Sequence, residues 1–561
     1  MVILGVTAAE RGSSAALFDN GRLVAAVAEE RLSRVRGAGG FPRRSVLEVL
    51  RLAGRAASEV EVVALAGFAW NVESRQLALA LARNAAEGRL CGVGRRVQAR
   101  HLARFAEWIA RTTMDLRGLD QATFEGLRAL GIVARIRRVE HALAHQATGF
   151  FGSGLPRALI ACFDEYGSGM GGALAIGTDQ GIERLCAFPW PHAPALLVAQ
   201  AGALLGIPVG HAAGRTAALA ARGDPNVLRD RIGSRFKITG GDVRAAAPYD
   251  DTALRELVSR YTREEVAAAV QAVIEDIVCS MIAHHCGRYE TDHVVLSGLL
   301  AANPRLVQRV AQVPGVRGVA VLAGAGEAGR AIGAALWVAH EAGVLPRGFR
   351  VDTSALGPSF SNADHVAALS RAGLSYETPA DLSEQMGQLL ADGGAVAVFE
   401  GAVPIGERGL GQRCIVARAD DQALVEVLSE RLGRPPGLPF GAATLVRPGD
   451  GEFSGPASAA DCARTQACTF DATPELAERC PAVVHTDGTG RPLWVREADA
   501  PRLHGILTAA AGLTGQKTFL HAALRLGDEA LVASPDDATR AFNLGHVDAL
   551  VMGRHVVRAS R

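Results

Sequence analysis

Apolar positions along this chain fall into short unbroken runs that alternate with helical stripes, a pattern that predicts an α/β fold. Val2 to Val6 reads as a buried strand, followed by the small and polar turn TAAERGSS. Ala15 to Asp19 and Leu23 to Ala28 read as two strands joined at Asn20-Gly21, a pair that favours the tight hairpin turn. The charged segment from Ala28 to Arg36 is expected to lie on the surface, and residues 43–130 read as helices. The arginines between Arg95 and Arg111 are most simply a solvated helix face. Further on, Ala158 to Phe163 predicts a buried strand that ends in Asp164, and Gly171 to Thr178 another strand. Residues 195–206 form an apolar helical pattern. Thr262-x-x-Glu265 is a capping box opening a long helix, with Val266, Val270, Val273, Ile274, Ile277, Val278 and Met281 on one face.

The strand from Val294 to Leu296 ends in Ser297-Gly298 and leads to a helix around Asn303 to Val310. Gly324 to Gly329 opens another helix, whose N-terminus suits an anion. Residues 341–362 have the Pro, Gly and Ser content of a linker, dividing the chain into 1–345 and 346–561. In the second part, Ala395 to Phe399 reads as a strand, and GERGLGQR, with Arg408 and Arg413, as a glycine loop. Such a loop can turn N–H groups and guanidinium forks toward phosphate, or be a plain surface loop with ion pairs. His485 to Arg491 is a polar turn between apolar segments; Pro535 opens a helix, and a strand spans Ala549 to Met552. No internal repeat is visible along the chain.

Composition narrows the classes of function. At 561 residues the chain is too long for one core. Its 59 basic and 58 acidic residues leave a formal charge of +1, which argues against a nucleic-acid or anionic-membrane footprint. Only Lys237 and Lys517 are lysines, so anions must be held by arginine and backbone N–H groups. Nine scattered cysteines without a CxxC pair fit reduced thiols rather than disulfides or structural zinc. The N-terminus meets charge too early for a secretory signal, and no apolar run approaches membrane-spanning length. A soluble cytoplasmic protein is the expectation.

The chemistry concentrates in VEHALAHQATGFFGSGLPRALIACFDEYGSG, from Val139 to Gly169. His141 and His145 lie four apart among helix-favouring residues, which puts both imidazoles on one helical face. An isolated HxxxH is more often surface or core histidine. Asp164 at a strand end, with the glycine-rich turn after it, shifts the reading toward a three-ligand site for iron or zinc. Gly210 and Gly214 before Arg215-Thr216 superficially suggest a Walker A loop, but the spacing is one residue short and the lysine is missing.

These stretches together resemble the NodU/CmcH-type O-carbamoyltransferases. SSAAL (Ser13 to Leu17), EERLSRVR, EHALAHQ, FDEYG, VLSGLLAANPRL, GPSFS, GERGLGQR, HTDGTGR and VDALVMG occur in the family's order over nearly the whole chain. The resemblance implies an N-terminal domain of the actin, sugar-kinase and Hsp70 (ASKHA) class followed by a C-terminal YrdC-like α/β domain. It implies Fe(2+), or another divalent transition metal, on His141, His145 and Asp164, with Glu327 at the position of the family's fourth ligand, an aspartate. Catalytic or acceptor-binding duties fall by the same resemblance on Arg11 and Ser13 of the opening turn and on Ser297. Gly298, Asn303, Arg408, Arg413, Arg434, His485, Thr489, Arg491 and Arg525 become the positions expected to bind ATP with Mg(2+) and carbamoyl phosphate. The family makes carbamoyl adenylate in its second domain and passes the carbamoyl group to an acceptor in the first.

Departures from the family pattern are equally visible. Arg11-Gly12 stands where the family carries His-Asp, and Gly298-Leu299-Leu300 where it carries Gly-Gly-Val. In the second domain Leu432-Gly433-Arg434 replaces Lys-x-Arg, Leu438 replaces an arginine, and His521 to Arg525 replaces Asn-Thr-Ser-Phe-Asn. Losing a lysine removes a charged donor to phosphate, and Arg525 is the residue placed to compensate. Two readings follow: an active carbamoyltransferase for a hydroxyl or amine of a small natural-product acceptor, or a diverged, non-adenylating relative that acts as a partner subunit or uses an activated acyl group made elsewhere. A sugar kinase is disfavoured because the opening turn lacks the expected aspartate. The acceptor, and pairing with a second copy or a paralogue, stay open.

Overall fold

The computed structural model describes residues 1–90, 95–208, 210–245, 251–434, 438–527, 529–545 and 547–559. The chain folds into two units. The first comprises Met1–Glu29 and Ala38–Val351, the second Glu30–Gly37 and Asp352–Arg561.

Two five-stranded sheets form the frame of the first unit. In one, Arg22–Ala28, Ser14–Asp19 and Val2–Thr7 make an antiparallel meander, and Val62–Ala66 and Arg135–Val139 extend it in parallel. In the other, Gly181–Pro189, Met170–Thr178 and Ala158–Gly167 make the meander, extended in parallel by His293–Ser297 and Gly318–Ala320. The plan is the same in both: three consecutive strands, then two crossover strands on the side of the first. The sequence shows no repeat, yet the topology is duplicated, because apolar residues of many kinds satisfy the same buried strand. Val62–Ala66 lies within a region whose pattern suggests only helices. Its five apolar residues are all buried, and Gly67 at φ 119° ends the run before a helical stripe can form.

Each duplicate ends in a helix, His141–Ser153 after the first sheet and Arg330–Glu341 after the second. These two helices pack closely: a Cβ on Gly333 would lie 1.8 Å from the Ala144 carbonyl oxygen, so only glycine admits the approach. Glu140 caps the histidine helix by accepting from the amides of Ala142 and Leu143, fixing where its first turn begins. Thr262 and Glu265 form the expected capping box on the helix Arg263–Arg288. That helix is long and apolar enough to cross a membrane by composition, but most of its apolar window is buried inside the unit.

A mixed seven-stranded sheet organises the second unit, in the order Pro492–Trp494, Gly441–Thr444, Thr518–Ala523, Arg413–Ala417, Val396–Phe399, Ala549–Met552 and His555–Arg558. The unit also contains an eight-residue piece of the N-terminal half, Glu30–Gly37. Charge in this stretch predicts a surface segment; instead Arg31 is 2% exposed. Its guanidinium donates to the Gly406 carbonyl and pairs with Glu30. Arg34 donates to the carbonyls of Leu531 and Ala530, each at 2.7 Å, and its Nε lies 3.3 Å from Asp537. The charges satisfy backbone carbonyls outside the main sheet.

The second unit is therefore incomplete as residues 352–561 alone. Arg34→Ala is expected to destabilise the full chain by about 1–3 kcal/mol, the cost of stranding charge-assisted partners, measured by urea unfolding. A change below the error of that measurement would show that the segment adds nothing to the unit.

Candidate metal centre and anion pocket

Four side chains of the first unit converge on one point. His145 Nε2 lies 3.0 Å and His141 Nε2 3.1 Å from Asp164 Oδ2. Glu327 Oε1 lies 3.6 Å from His145 Nε2 and 3.9 Å from His141 Nε2. One donor atom from each residue falls within 4.8 Å of all the others. Donors bound to one ion at about 2.1 Å stand roughly 3.0–3.4 Å apart at octahedral or tetrahedral angles, so the contacts of Asp164 already match and those of Glu327 are somewhat long.

Local structure explains the convergence. The two histidines occupy successive turns of one helix face, with ring centroids 4.9 Å apart. Pairing between Ala158–Gly167 and Met170–Thr178 is interrupted between Phe163 and Gly167, and the irregularity directs Asp164 out of the sheet toward the histidine rings. A Cβ on Gly167 would fall 2.1 Å from the His141 ring, so this glycine makes room for the imidazole. Glu327 stands in the short helical turn before Arg330–Glu341. The Ala325 carbonyl takes the Nδ1 side of His145 at 3.1 Å and the Gly298 amide at 3.0 Å, tying three segments together. A neutral His145 would thus keep its proton on Nδ1 and turn its Nε2 lone pair inward, toward an ion.

Electrostatics favour a cation here. Burial works against a charged imidazole, yet the carboxylates of Asp164 and Glu327 outweigh it and lift His145 to about 9. Burial likewise would raise Asp164, but its partners His141 and His145 hold its carboxyl far below the usual range. A proton or a metal ion can satisfy the same two carboxylates. An N,N,O,O donor set fits a divalent transition ion, and no cysteine enters it.

The opening turn reaches this cluster through its backbone. Gly12, at φ 70°, faces Glu327, whose Cβ lies 2.6 Å from where a Gly12 Cβ would be. Ser13 is fully buried and donates to the Gly40 carbonyl at 2.7 Å, which closes the turn, while Ser14 donates to the Ala328 carbonyl at 2.8 Å. Arg11 is exposed and near enough to Glu165 to oppose the rise of that carboxyl's pKa, a rise caused first by burial and then by Asp164. Ser297 lies buried beside Cys162 at the strand end, and Asn303 caps its helix through Leu306 N and pairs with Gln271.

In the second unit the predicted arginines divide by environment. Arg413 is wholly buried, lies 3.8 Å over the Phe399 ring and donates to the carbonyls of Gln412 and Gly401. Arg434 sits 4.0 Å over Phe440 and donates to the Pro439 carbonyl. Both guanidiniums are engaged with backbone and an aromatic face. Arg408, Arg491 and His521 instead gather around Gln466, with His485 and Arg525 among the groups they repel. Arg408 donates to the Gln466 carbonyl, and the Gln466 amide bridges the Arg491 carbonyl and His521 Nδ1, each at 3.2 Å. Thr489 is buried and pairs with Asp487 at 2.7 Å and His485 at 3.3 Å; Arg525 donates to the Glu407 carbonyl.

Among the described residues no carboxylate forms a salt bridge with Arg408, Arg491 or Arg525. Loss of water depresses all three guanidiniums, Arg491 and Arg525 to about 10, and Arg491 adds repulsion at Arg408. The same loss of water, then the Arg491 charge, pulls His485 to about 4 and His521 to about 3. Glu407, and at Arg525 also Glu30, offset only part of this charge, and a cationic pocket of this kind suits an anion. Sequence inspection overlooks two of its contributors and one at the metal centre. Gln466 is a non-glycine residue at φ 55° with no motif around it, and His521 reads only as a lost asparagine. Arg330 has the one available signal, its position three residues after Glu327.

A mixed α/β protein with a candidate metal centre in one unit and a cationic pocket in the other is the class that these features define. The carbamoyltransferase N-terminus model matches residues 2–336 and the carbamoyltransferase C-terminus model residues 387–559, so the chain belongs to the carbamoyltransferase family and is a transferase. It is 25% identical to the uncharacterized protein sll1178 of Synechocystis sp., covering 99% of this chain and 96% of that one. It is 26% identical to the nodulation protein NolNO of Sinorhizobium fredii, covering 97% of this chain and 78% of the relative. Among solved structures, HypF of T. kodakarensis aligns at 12% identity and a TM-score of 0.36, over 62% of this chain and 48% of that one.

Because His521 stays neutral in the fold down to about 3 while its unfolded value is near 6.5, the unfolded chain takes up the proton first. Stability is then present above about 6.5 and lost as pH falls toward 3. Between pH 7 and about pH 5 this one group is expected to remove about 2 kcal/mol, a loss that His521→Gln escapes, measured by urea unfolding at both pH values.

Proposed function

We propose that this protein is an ATP-dependent carbamoyltransferase that draws its carbamoyl group from carbamoyl phosphate through carbamoyl adenylate and delivers it to a hydroxyl or amine of a small acceptor. The convergence of His141, His145, Asp164 and Glu327 in the unit matched by the carbamoyltransferase N-terminus model carries this reading. The duplicated sheet plan supports an ASKHA-type first domain. The clustered arginines Arg408, Arg491 and Arg525 support the second unit as a YrdC-like adenylating domain.

In this scheme ATP and carbamoyl phosphate occupy the cationic pocket. Water first cleaves carbamoyl phosphate to carbamate and inorganic phosphate. A carbamate oxygen then attacks the α-phosphorus of ATP, the bond from that phosphorus to the bridging β-phosphate oxygen breaks, and pyrophosphate leaves. Arg408, Arg491 and Arg525 bind and orient the phosphates, and the neutral His521, whose Nδ1 accepts from the Gln466 amide, offers its Nε2–H as a further donor beside the neutral His485 ring. In the first unit the acceptor oxygen or nitrogen attacks the carbamoyl carbonyl, and the C–O bond to AMP breaks. A divalent transition ion such as Fe(2+) held by His141, His145, Asp164 and Glu327 would supply a Lewis acid against charge on the departing phosphate. Glu165, raised first by burial and then by Asp164 and Glu327, and set beside Arg11, is the titratable group placed to take the acceptor proton.

The full chain given ATP and carbamoyl phosphate is expected to release pyrophosphate. Arg491→Met should lower kcat/KM for that step about 10–100-fold, the loss of one charge-assisted phosphate contact. His145→Ala should keep pyrophosphate release and lose carbamoyl transfer. No pyrophosphate from the wild-type chain, with transfer from supplied carbamoyl adenylate intact, would favour the non-adenylating reading.

A further inference from the structure

Arg330 touches the metal centre and has no place in the scheme above. It opens the helix Arg330–Glu341, is 4% exposed, and turns its guanidinium into the His/Asp/Glu cluster. One nitrogen, Nη1, lies 2.9 Å from His141 Nδ1, and Nη2 forms an ion pair with Glu327.

A guanidinium can only donate hydrogen bonds. His141 Nδ1 must therefore present its lone pair to Arg330, which leaves the proton of the neutral ring on Nε2. That is the atom facing Asp164 at 3.1 Å, where a metal ion would bind. The second histidine has the opposite arrangement. His145 Nδ1 faces a carbonyl oxygen, so the neutral ring keeps its proton there and offers its Nε2 lone pair to an ion. Metal-binding imidazoles ordinarily have an acceptor behind them, as His145 does; His141 has a cation. The same guanidinium neutralises Glu327, whose side chain is 39% exposed.

We propose that Arg330 is an internal cation competing with the metal ion for half of the site. His145 and Asp164 form the ready half, and His141 and Glu327 become full ligands only when Arg330 releases them. Arg330 thereby weakens the centre for divalent ions, as a positioning residue acting through His141 and Glu327. This rests on the cluster being the metal site, which the controls test separately.

The experiment is equilibrium titration of the full-length wild type, Arg330→Gln and Arg330→Met with Co(2+), followed by its d–d absorption and by calorimetry. Glutamine offers His141 a carbonyl acceptor in place of a donor, and methionine removes the charge with little loss of volume. Either replacement is expected to tighten Co(2+) binding about 10–100-fold, the range of effects from partners behind metal ligands. Coupling to His141 separates this from general repacking. His141→Ala should cost less than about threefold in the wild type and about tenfold or more in the Arg330→Gln background. Equal or weaker Co(2+) binding by the folded glutamine variant, or the same His141→Ala cost in both backgrounds, overturns the proposal and leaves the metal site standing. Co(2+) binding unaffected by His145→Ala would instead overturn the metal-site reading and the proposal with it. Should the methionine variant not fold, the glutamine variant alone decides.

Discussion

Two carboxylates and two imidazoles brought within a few ångströms of each other, largely out of water, set the central constraint on the first unit. Such a group is stable only with positive charge among its members, whether from protons, a metal ion or a guanidinium. Its surroundings follow from that need. The bulge after Phe163 aims Asp164, Gly167 gives His141 its space, and the Ala325 carbonyl orients His145. Two helices at equivalent places in the duplicated sheets bring their N-terminal ends together, one supplying the histidines and the other Arg330, with Glu327 in the turn just before it.

The second unit has the reverse problem. Arg408, Arg491 and His521 are crowded around the backbone and side chain of Gln466, with Glu407 offsetting only part of the charge. Cations in that arrangement repel one another, and the fold tolerates it through donations to carbonyls and through neutral histidines. Where an arginine has only a structural duty, as Arg413 does, it lies against an aromatic face with its N–H groups spent on turns. The contrast separates the arginines that hold the loops from those left to hold an anion.

A chain segment assigned by sequence distance to one half can belong physically to the other. Glu30–Gly37 leaves the N-terminal hairpin and becomes part of the second unit, where Arg31 and Arg34 satisfy carbonyls near Gly406 and Ala530. Its charge density resembles that of a solvated surface segment, since a pattern of charges is the same whether water or backbone oxygen receives them.

The sequence by itself determined the local elements and the identity of the metal-ligand candidates. Asn20-Gly21 closed its hairpin, Thr262 and Glu265 capped their helix, and two histidines four apart shared one face. Each depends on residues within a few positions, so backbone geometry enforces it locally. Only the tertiary structure decided that Asp164 and Glu327 meet those histidines, that Arg330 stands behind His141, and that the sheet plan occurs twice. These are contacts across 20 to nearly 190 residues of chain, or matches of topology between dissimilar residues. Close packing chooses such partners, and a one-dimensional pattern carries no distance at that range.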